Sequence, residues 1–407
     1  MKMEHKFTLL FVKFNEICIR YYVSLREPCK IKGEHFTEKT IYSLLWGGEG
    51  TGEGICTDCM KINKLGDSQL PKIKLYMKGK IMLKLTDLFE NFDLAKEAIK
   101  NWNYDIDTLD TMLSYFRISS NAIYPYCQNG QVCFLRLTPI DEKREENIMG
   151  ELEFIEFLTQ HDYPALKPIP TLSGEKVIKL DTKWGLYYAC AFEKVAGVQI
   201  EATGMSKEIM YEYGKTLGKL HTLSSAFKPQ IRKWTHVEVL EWIEKVLDEY
   251  GAPGHVLLEL AQVKKELSDY PIREDNYGLI HYDFEPDNVF YDDKTMSCAV
   301  IDFDDGMYHW YVLDIEQVFD SLKEELDVSI LQIAKEEFIK GYKTEHLYSK
   351  EMVNSHPLMR RFINLYSYAR LIRCVAVSVS KEPNWLLELR KKLNNKIHSL
   401  EMSMMRL

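Results

Sequence analysis

GLIHYDFEPDNVFYDDKTMSCAVIDFDDGMYHWYVLDIEQVFD, running from Gly278 to Asp320, packs more candidate metal ligands and proton acceptors between short apolar runs than any other part of the chain. Leu279 and Ile280 end one apolar run, Val289 to Tyr291 make a second and Cys298 to Ile301 a third, while Asp292 and Asp293 supply a turn between the last two. The expected local structure is loop, strand, tight turn, strand, loop. His281, Asp283 and Asn288 then fall in the first loop, and Asp302, Asp304 and Asp305 in the last. A hairpin sets the residue before its first strand beside the residue after its second, so Asn288 and Asp302 are expected to meet. A side-chain amide oxygen with one or two carboxylates is a hard oxygen donor set, suited to Mg2+ and poorly suited to zinc or copper. Asp304 is a candidate second ligand. Asp283, five residues before Asn288, would stand beside such a metal and accept the proton of a hydroxyl nucleophile. The plain alternative is a hairpin with acidic, solvated ends; five polar residues in this order, with apolar strands between them, argue against it.

The 407 residues suffice for two or three domains or lobes. Hydrophobic content of 46% and charged content of 28% are ordinary for a globular protein. No apolar run approaches the ~20 residues that span a bilayer. Lys13 interrupts the early apolar run Phe7 to Val12, and no small-residue cleavage site follows, so no secretory signal is read and the cytoplasm is the expected compartment. Nine cysteines without framework spacing do not describe a disulfide scaffold. Cys56 and Cys59 lack a second pair, which favours two ordinary thiols over a zinc site. The net charge of -9 argues against nucleic acid as a partner. That charge is uneven: residues 1–81 carry 14 Lys and Arg against 9 Asp and Glu, an excess opposite to that of the remainder. A boundary near Met82 is therefore expected, with residues 1–81 as a poorly structured extension or an over-extended start of the reading frame. The Gly-rich run Trp46 to Gly54 fits neither a Gly-x-Gly-x-x-Gly nor a P-loop pattern and reads as a loop.

From Met82 to Trp102, Leu85, Leu88, Phe89, Phe92, Ala95 and Ile99 recur at helical spacing, with Thr86 as the cap. Strand-like runs follow at Tyr115 to Ile118, Asn121 to Cys127 and Gln131 to Leu137, the last two joined by Asn129-Gly130, a hairpin signal. Arg136 is the one charge within the buried-looking strand CFLRL and needs an anion or an exit to water. Another strand is read at Leu186 to Phe192, helices at Ser206 to Leu223, Val237 to Tyr250 and Val256 to Asp269, and helices again from Asp320 to the end. In that last region Arg360, Arg361, Tyr366, Tyr368, Arg370 and Arg373 suit either a substrate cleft or an ordinary helix surface.

The spacing His-x-Asp-x-x-x-x-Asn, followed by a strand and Ile-Asp-Phe-Asp, resembles the catalytic and metal-binding loops of phosphoryl transferases with the protein-kinase-like fold. It is most similar to the aminoglycoside phosphotransferase and choline kinase family, in the branch of small-molecule kinases that includes homoserine kinase. The resemblance implies an α+β fold of two lobes: a small, β-rich, nucleotide-binding lobe over 82–195 and a larger, mainly helical lobe over 196–407. It implies ATP and Mg2+ as cofactors, Asp283 as the catalytic base with His281 beside it, and Asn288, Asp302 and Asp304 toward the metal. Ser119 and Ser120 take the place of the family's nucleotide loop, without its usual glycines. Arg136 would grip nucleotide phosphates and be held by Glu151; Glu153, the rival position, points about 160° further around a helix of ~100° per residue. Glu193 and Val195 lie in the segment that resembles the hinge where main-chain groups meet adenine. His221 and Asp314 match structural positions, Asp314 tying down the loop backbone.

These features point to an ATP-dependent kinase acting on the hydroxyl of a small molecule, of open oligomeric state, with neither nucleic acid nor membrane as partner. A Ser/Thr protein kinase is the first alternative; Glu285 stands where protein kinases carry Lys, and no Ala-Pro-Glu-like segment follows Asp302. A non-catalytic nucleotide-binding scaffold is the second, opposed by the joint presence of Asp283, Asn288 and Asp302. Glu285, Asp287, Asp304 and Asp305 exceed the minimum of carboxylates such a site needs, which suggests an acceptor carrying an amine, flanked by Tyr308, Trp310 and Tyr311, of which at least one is expected in the core; the alternative is that Glu285 and Asp305 face solvent.

Overall fold

The computed structural model describes residues 91–118, 121–376 and 384–405, and before them the backbone of four strands. Within 1–81 those strands are β1 (Ile17–Val23), β2 (Cys29–Ile31), β3 (Glu34–Phe36) and β4 (Ile73–Gly79); β1 pairs antiparallel with β4, and β2 with β3. The rest of that segment, with its Gly-rich run and Cys56 and Cys59, lies outside the described residues, as do Ser119 and Ser120.

Of the helix expected from Met82, the described residues hold α1 (Phe92–Ala98). Asn91 caps it, its side chain accepting from Leu94 N–H, while Thr86 and the rest of 82–90 lie outside the described residues. After a short α2 (Leu109–Leu113), β5 (Arg117–Ile118), β6 (Ala122–Gln128) and β7 (Gln131–Pro139) form successive antiparallel neighbours. The β6–β7 turn places Asn129 and Gly130 at φ of 50° and 78°, the conformation that an Asn-Gly pair favours, and Asp105 accepts from both of their N–H groups. Helix α3 (Glu145–Gln160) follows, then β8 (Pro168–Ile169), β9 (Ile178–Thr182) and β10 (Gly185–Glu193), with β10 paired to β7 on one side and to β8 and β9 on the other. This sheet is the small lobe.

The second lobe is mainly helical. It holds β11 (Val198–Gln199), α4 (Lys207–Ala226), α5 (His236–Glu249), α6 (Gly254–Asp269), β12 (Tyr277–Ile280), β13 (Val289–Asp292), β14 (Ser297–Val300), β15 (Met307–Trp310), α7 (Val312–Glu325), α8 (Val328–Tyr342), α9 (Lys350–Val375) and α10 (Asn384–Met404). The expected hairpin is β13–β14, in register Val289 with Val300, and β12 pairs with β15. There are two apolar cores: one lies under the small lobe's sheet with α1 and α2, and the other fills the helical lobe and takes in α3 and the Tyr188, Cys190 and Phe192 face of β10. Helix α10 serves both: Leu386, Leu389 and Leu393 pack into the small lobe's core, and Leu400 and Met404 into the other. Among the described residues no helix is long and apolar enough to cross a membrane.

Helices α4 and α8 touch backbone to backbone. A Cβ built on Gly214 would lie 1.8 Å from the Phe338 carbonyl oxygen, and one on Gly341 would lie 1.9 Å from that of Tyr211, so glycine at both positions lets α8 seat against α4, which backs the loop between β12 and β13. Gly214→Ala and Gly341→Ala are each expected to cost ~1–3 kcal/mol or more, the range for overpacking a core, as read in denaturant melts. Gly254→Ala, where a Cβ meets nothing within 4 Å, is the control and stays within ~0.5 kcal/mol.

Candidate active site

The site is assembled where β12 and the hairpin β13–β14 end. Two non-glycine residues there adopt left-handed backbone, Tyr282 at φ 60° and Asp302 at φ 66°. Such geometry persists only where its surroundings enforce it. For Tyr282 the enforcement is Asp314, fully buried on the first turn of α7, whose Oδ2 accepts from His281 N–H at 2.9 Å and whose Oδ1 accepts from Tyr282 N–H at 2.8 Å. His221 Nε2 sits 3.0 Å from Asp314 Oδ2, with Tyr342 Oη on its other nitrogen at 2.8 Å. Gln317 donates to the Tyr282 carbonyl and Tyr213 to that of Phe284, so α7 and α4 pin the loop from behind.

His281 is held within the loop. Its Nε2 lies 2.9 Å from the Ile301 carbonyl, and its Nδ1 accepts from Asp283 N–H at 3.1 Å, which fixes a neutral ring protonated at Nε2. Burial pushes its pKa down against the opposing charges of Asp314 and Asp283. The ring therefore orients Asp283. Asn288 Nδ2 donates to the Asp283 carbonyl at 3.0 Å and to its Oδ2 at 3.1 Å, while Asn288 Oδ1 is buried with no hydrogen-bond partner. Ile301 N–H donates to the Asn288 carbonyl at 3.0 Å, closing the hairpin end and setting Asn288 beside the Ile301-Asp302 peptide. The Asp302 carboxyl is pushed well above its ordinary value, first by burial and then by the charges of Asp304 and Asp283.

A divalent cation suits this arrangement. It would take the orphaned Asn288 oxygen and relieve the crowded charge at Asp302. Among the described residues no three His, Cys, Asp or Glu side chains converge as a cage. Mg2+ needs none, because it keeps waters and takes phosphate oxygens beside one or two protein ligands.

Arg136 and Glu151, both buried, face one another as expected, in a two-pronged pair at 2.8 and 2.7 Å, with the guanidinium over Phe192. Glu153 points elsewhere, accepting from the N–H groups of Gln230 and Ile231. Glu193 closes β10, and Val195 lies two residues on, in the segment joining the lobes. Asp304, the candidate second ligand, has partners within the chain. Its Oδ2 accepts from Asn121 Nδ2 at 2.6 Å and pairs with Lys143, and although burial alone would raise the carboxyl, Lys143 and Arg136 hold it far below the usual carboxylate range.

The sequence motifs missed several cations. Lys143, Arg117 and Lys233 all reach the site from outside them. Arg117 Nη2 stands 3.7 Å from Asp287, and buried Lys233 donates to the carbonyls of Phe303 and Asp304 at 2.9 Å each, its pKa lowered to about 8 by burial. The carboxylates Asp287, Asp304 and Asp305 are thus met from within the chain, which removes the charge surplus as a reason for an amine on the acceptor. Trp310 and Tyr311 are core residues: Trp310 Nε1 donates to the Pro271 carbonyl, and Tyr311 stacks on His221 at 4.5 Å. Of the C-terminal residues left open, Tyr366, Tyr368 and Arg370 are buried. The arginines are all paired: Arg360 with Glu316 and Asp320, Arg361 with Glu259 and Glu266, Arg370 with Asp305 and Arg373 with Glu142.

The sequence model of the "Phosphotransferase enzyme family" (APH) matches residues 127–346, more than half of the chain. The chain belongs to this family. As a phosphotransferase it is 26% identical over 234 residues to the amicoumacin kinase of Bacillus subtilis (strain 168), spanning 56% of this chain and 67% of that protein. An uncharacterized protein of Synechocystis sp. is 22% identical over 219 residues, 52% of this chain and 59% of the relative, less than two thirds of its length. The fold of this chain is similar to that of amicoumacin kinase hAmiN, solved with AMP-PNP, Ca2+ and Ami (TM-score 0.63, 19% identity, 76% of this chain and 94% of that one). A microcompartment-associated aminopropanol kinase is also similar (TM-score 0.54, 18% identity, 76% and 97%). The two-lobed, α+β kinase-like architecture is thereby shared.

Two outcomes follow from the anchoring of the loop. Asp314→Ala leaves two buried backbone donors unpartnered, at ~1–3 kcal/mol each, and is expected to lower unfolding stability by at least ~2 kcal/mol in urea melts. His281 has a folded pKa below the ordinary 6.5. The stability it contributes is therefore complete above that value and lost as pH falls through the lowered folded value. 15N spectra of the histidine rings are expected to show His281 as the Nε2–H tautomer, unchanged from pH 8 to 6; titration near 6.5 contradicts the assignment.

Proposed function

We propose that this phosphotransferase moves the γ-phosphoryl group of ATP, with Mg2+, to a hydroxyl of a small, amine-bearing molecule. The observation that carries the reading is the meeting of Asp283, the unpartnered Asn288 Oδ1 and Asp302 at one end of the hairpin β13–β14. Asp283, oriented through His281 and Asn288, receives the acceptor's hydroxyl proton as the oxygen attacks. Asn288 and Asp302 hold the metal. A bound divalent cation neutralises phosphate charge, the larger part of what phosphoryl transfer requires of its surroundings. Arg136, fixed by Glu151, takes further phosphate charge, and the main chain from Glu193 to Val195 meets the adenine. The amine is supported by a structural neighbour named for aminopropanol. A protein substrate is disfavoured, because only residues 303–311 separate Asp302 from α7, leaving no length for an activation loop.

Asp283→Asn is expected to lower turnover at least ~100-fold, the usual contribution of a positioned acid-base group, with nucleotide affinity nearly unchanged. Asp302→Asn should lose turnover and weaken MgATP binding together. Both variants are assayed against amino alcohols, aminosugars and their neutral isosteres. Wild-type-like turnover in either variant overturns its role, and equal turnover of charged and neutral acceptors overturns the amine.

A further inference from the structure

The left-handed backbone at Tyr282 is enforced by an anion, Asp314, and that at Asp302 is met by a cation. Lys233 lies between α4 and α5, in no motif that marks the site, yet it is buried. Its ammonium donates at 2.9 Å to each of two consecutive carbonyls, those of Phe303 and Asp304, which directly follow Asp302. Successive carbonyls of an extended chain point to opposite sides, so two that meet on one donor require a turned backbone, and Asp302 supplies it with φ of 66°. Gly306 N–H also donates to the Phe303 carbonyl, at 3.2 Å, and closes the turn. The ring of Phe303 then lies between His281 and Phe154 of α3, with centroids 4.7 and 6.2 Å away.

Lys233 is aimed from outside this loop. Residues 230–234 run along one face of α3, where Asn147, Gly150 and Glu153 recur at every third position. Glu153 accepts from Gln230 and Ile231 N–H at 2.7 and 2.9 Å, and Asn147 Oδ1 accepts from Trp234 N–H at 3.2 Å. Between these bonds the chain presses on Gly150, where a Cβ would lie 2.8 Å from the Ile231 carbonyl oxygen and 2.9 Å from Lys233 Cγ. The Trp234 carbonyl in turn accepts from Tyr308 N–H of β15 at 3.0 Å. The ammonium is thus fixed against α3 and β15 where it meets the two carbonyls.

Stability does not account for a charge in this place. Desolvating an ammonium is costly, its hydrogen-bond partners here are neutral carbonyls, and an apolar side chain of similar length would fill the same space. What the ammonium adds is direction, since it carries three donors and no acceptor. We propose that Lys233 is a positioning residue for the metal: by holding the Phe303 and Asp304 carbonyls it keeps Asp302 in left-handed backbone and aims its carboxylate at the divalent cation shared with Asn288. The inference rests on the reading of Asn288 and Asp302 as the metal's holders.

The test reads metal affinity and needs no turnover. The full chain with AMP-PNP is titrated with Mn2+, and free Mn2+ is followed by electron paramagnetic resonance. Lys233→Met is expected to weaken Mn2+ binding ~10- to 100-fold, the usual loss when a group that orients a metal ligand is removed. Its urea midpoint is expected to move little, because relief from burying the ammonium offsets the carbonyl left without a donor. Glu156→Ala, on the same helix but paired with Lys176 at the surface, is the control and binds Mn2+ as the wild type does. Asp302→Asn, measured alongside, separates the two readings. Wild-type affinity in a folded Lys233→Met, with Asp302→Asn weakened, overturns this inference alone. Wild-type affinity in Asp302→Asn overturns the reading of the metal's holders, and this inference with it. Should Lys233→Met fail to fold, Glu153→Ala decides: it loosens residues 230–234 from α3 and is expected to weaken Mn2+ binding where Glu156→Ala does not, and equal affinity in those two variants overturns the proposal.

Discussion

A buried carboxylate accepting two consecutive backbone N–H groups is the contact on which this site depends. Asp314 is fully buried, where an isolated charge is prohibitively costly, and it persists because His281 N–H, Tyr282 N–H and His221 all converge on it. Those bonds hold Tyr282 in left-handed backbone, which turns the chain so that Asp283 faces Asn288 and does not continue the line of β12. Burial depresses the His221 pKa, so its neutral ring donates from Nε2 to Asp314 and accepts at Nδ1 from Tyr342. Every donor in the chain from α8 through α4 to the loop is thereby satisfied.

Charge joins the two lobes above this anchor. Arg136 and Glu151 form a pair inside the small lobe, whereas Lys143 with Asp304 and Asp305, Arg373 with Glu142, and Arg117 with Asp287 cross between lobes. Buried or half-buried pairs of this kind contribute less to net stability than to geometry, since desolvation offsets much of their attraction. Apolar closure comes from α10, whose two ends lie in different cores. The same charges that register the lobes also surround the expected phosphate path.

What was legible in the sequence was what local spacing determines. The meeting of Asn288 with the Asp302 peptide follows from two short strands and a turn, and the β6–β7 hairpin from Asn129-Gly130. Arg136 with Glu151 needed the family resemblance, because a strand and a helix do not announce their contact. Lys143 and Asn121 could not be found this way: their partners lie 161 and 183 residues on, and only the packing of one lobe on the other brings them together. For the same reason the carboxylates near the motif overstate the charge at the site, since the cations that offset them arrive from afar. Which of Tyr308, Trp310 and Tyr311 belong to the core was not legible, because an aromatic run beside acidic residues looks the same in sequence whether it pairs as a buried strand or lines a cleft. In the structure Trp310 closes β15 against β12.

The most direct test of the account is the position of the metal. Crystals grown with Mn2+ and AMP-PNP, measured at a wavelength where manganese scatters anomalously, are expected to show a peak ~2.1 Å from both Asn288 Oδ1 and an Asp302 carboxylate oxygen, a distance usual for a small divalent cation. A manganese peak on Asp304 or Asp305, with Asn288 Oδ1 still unbonded, would contradict it.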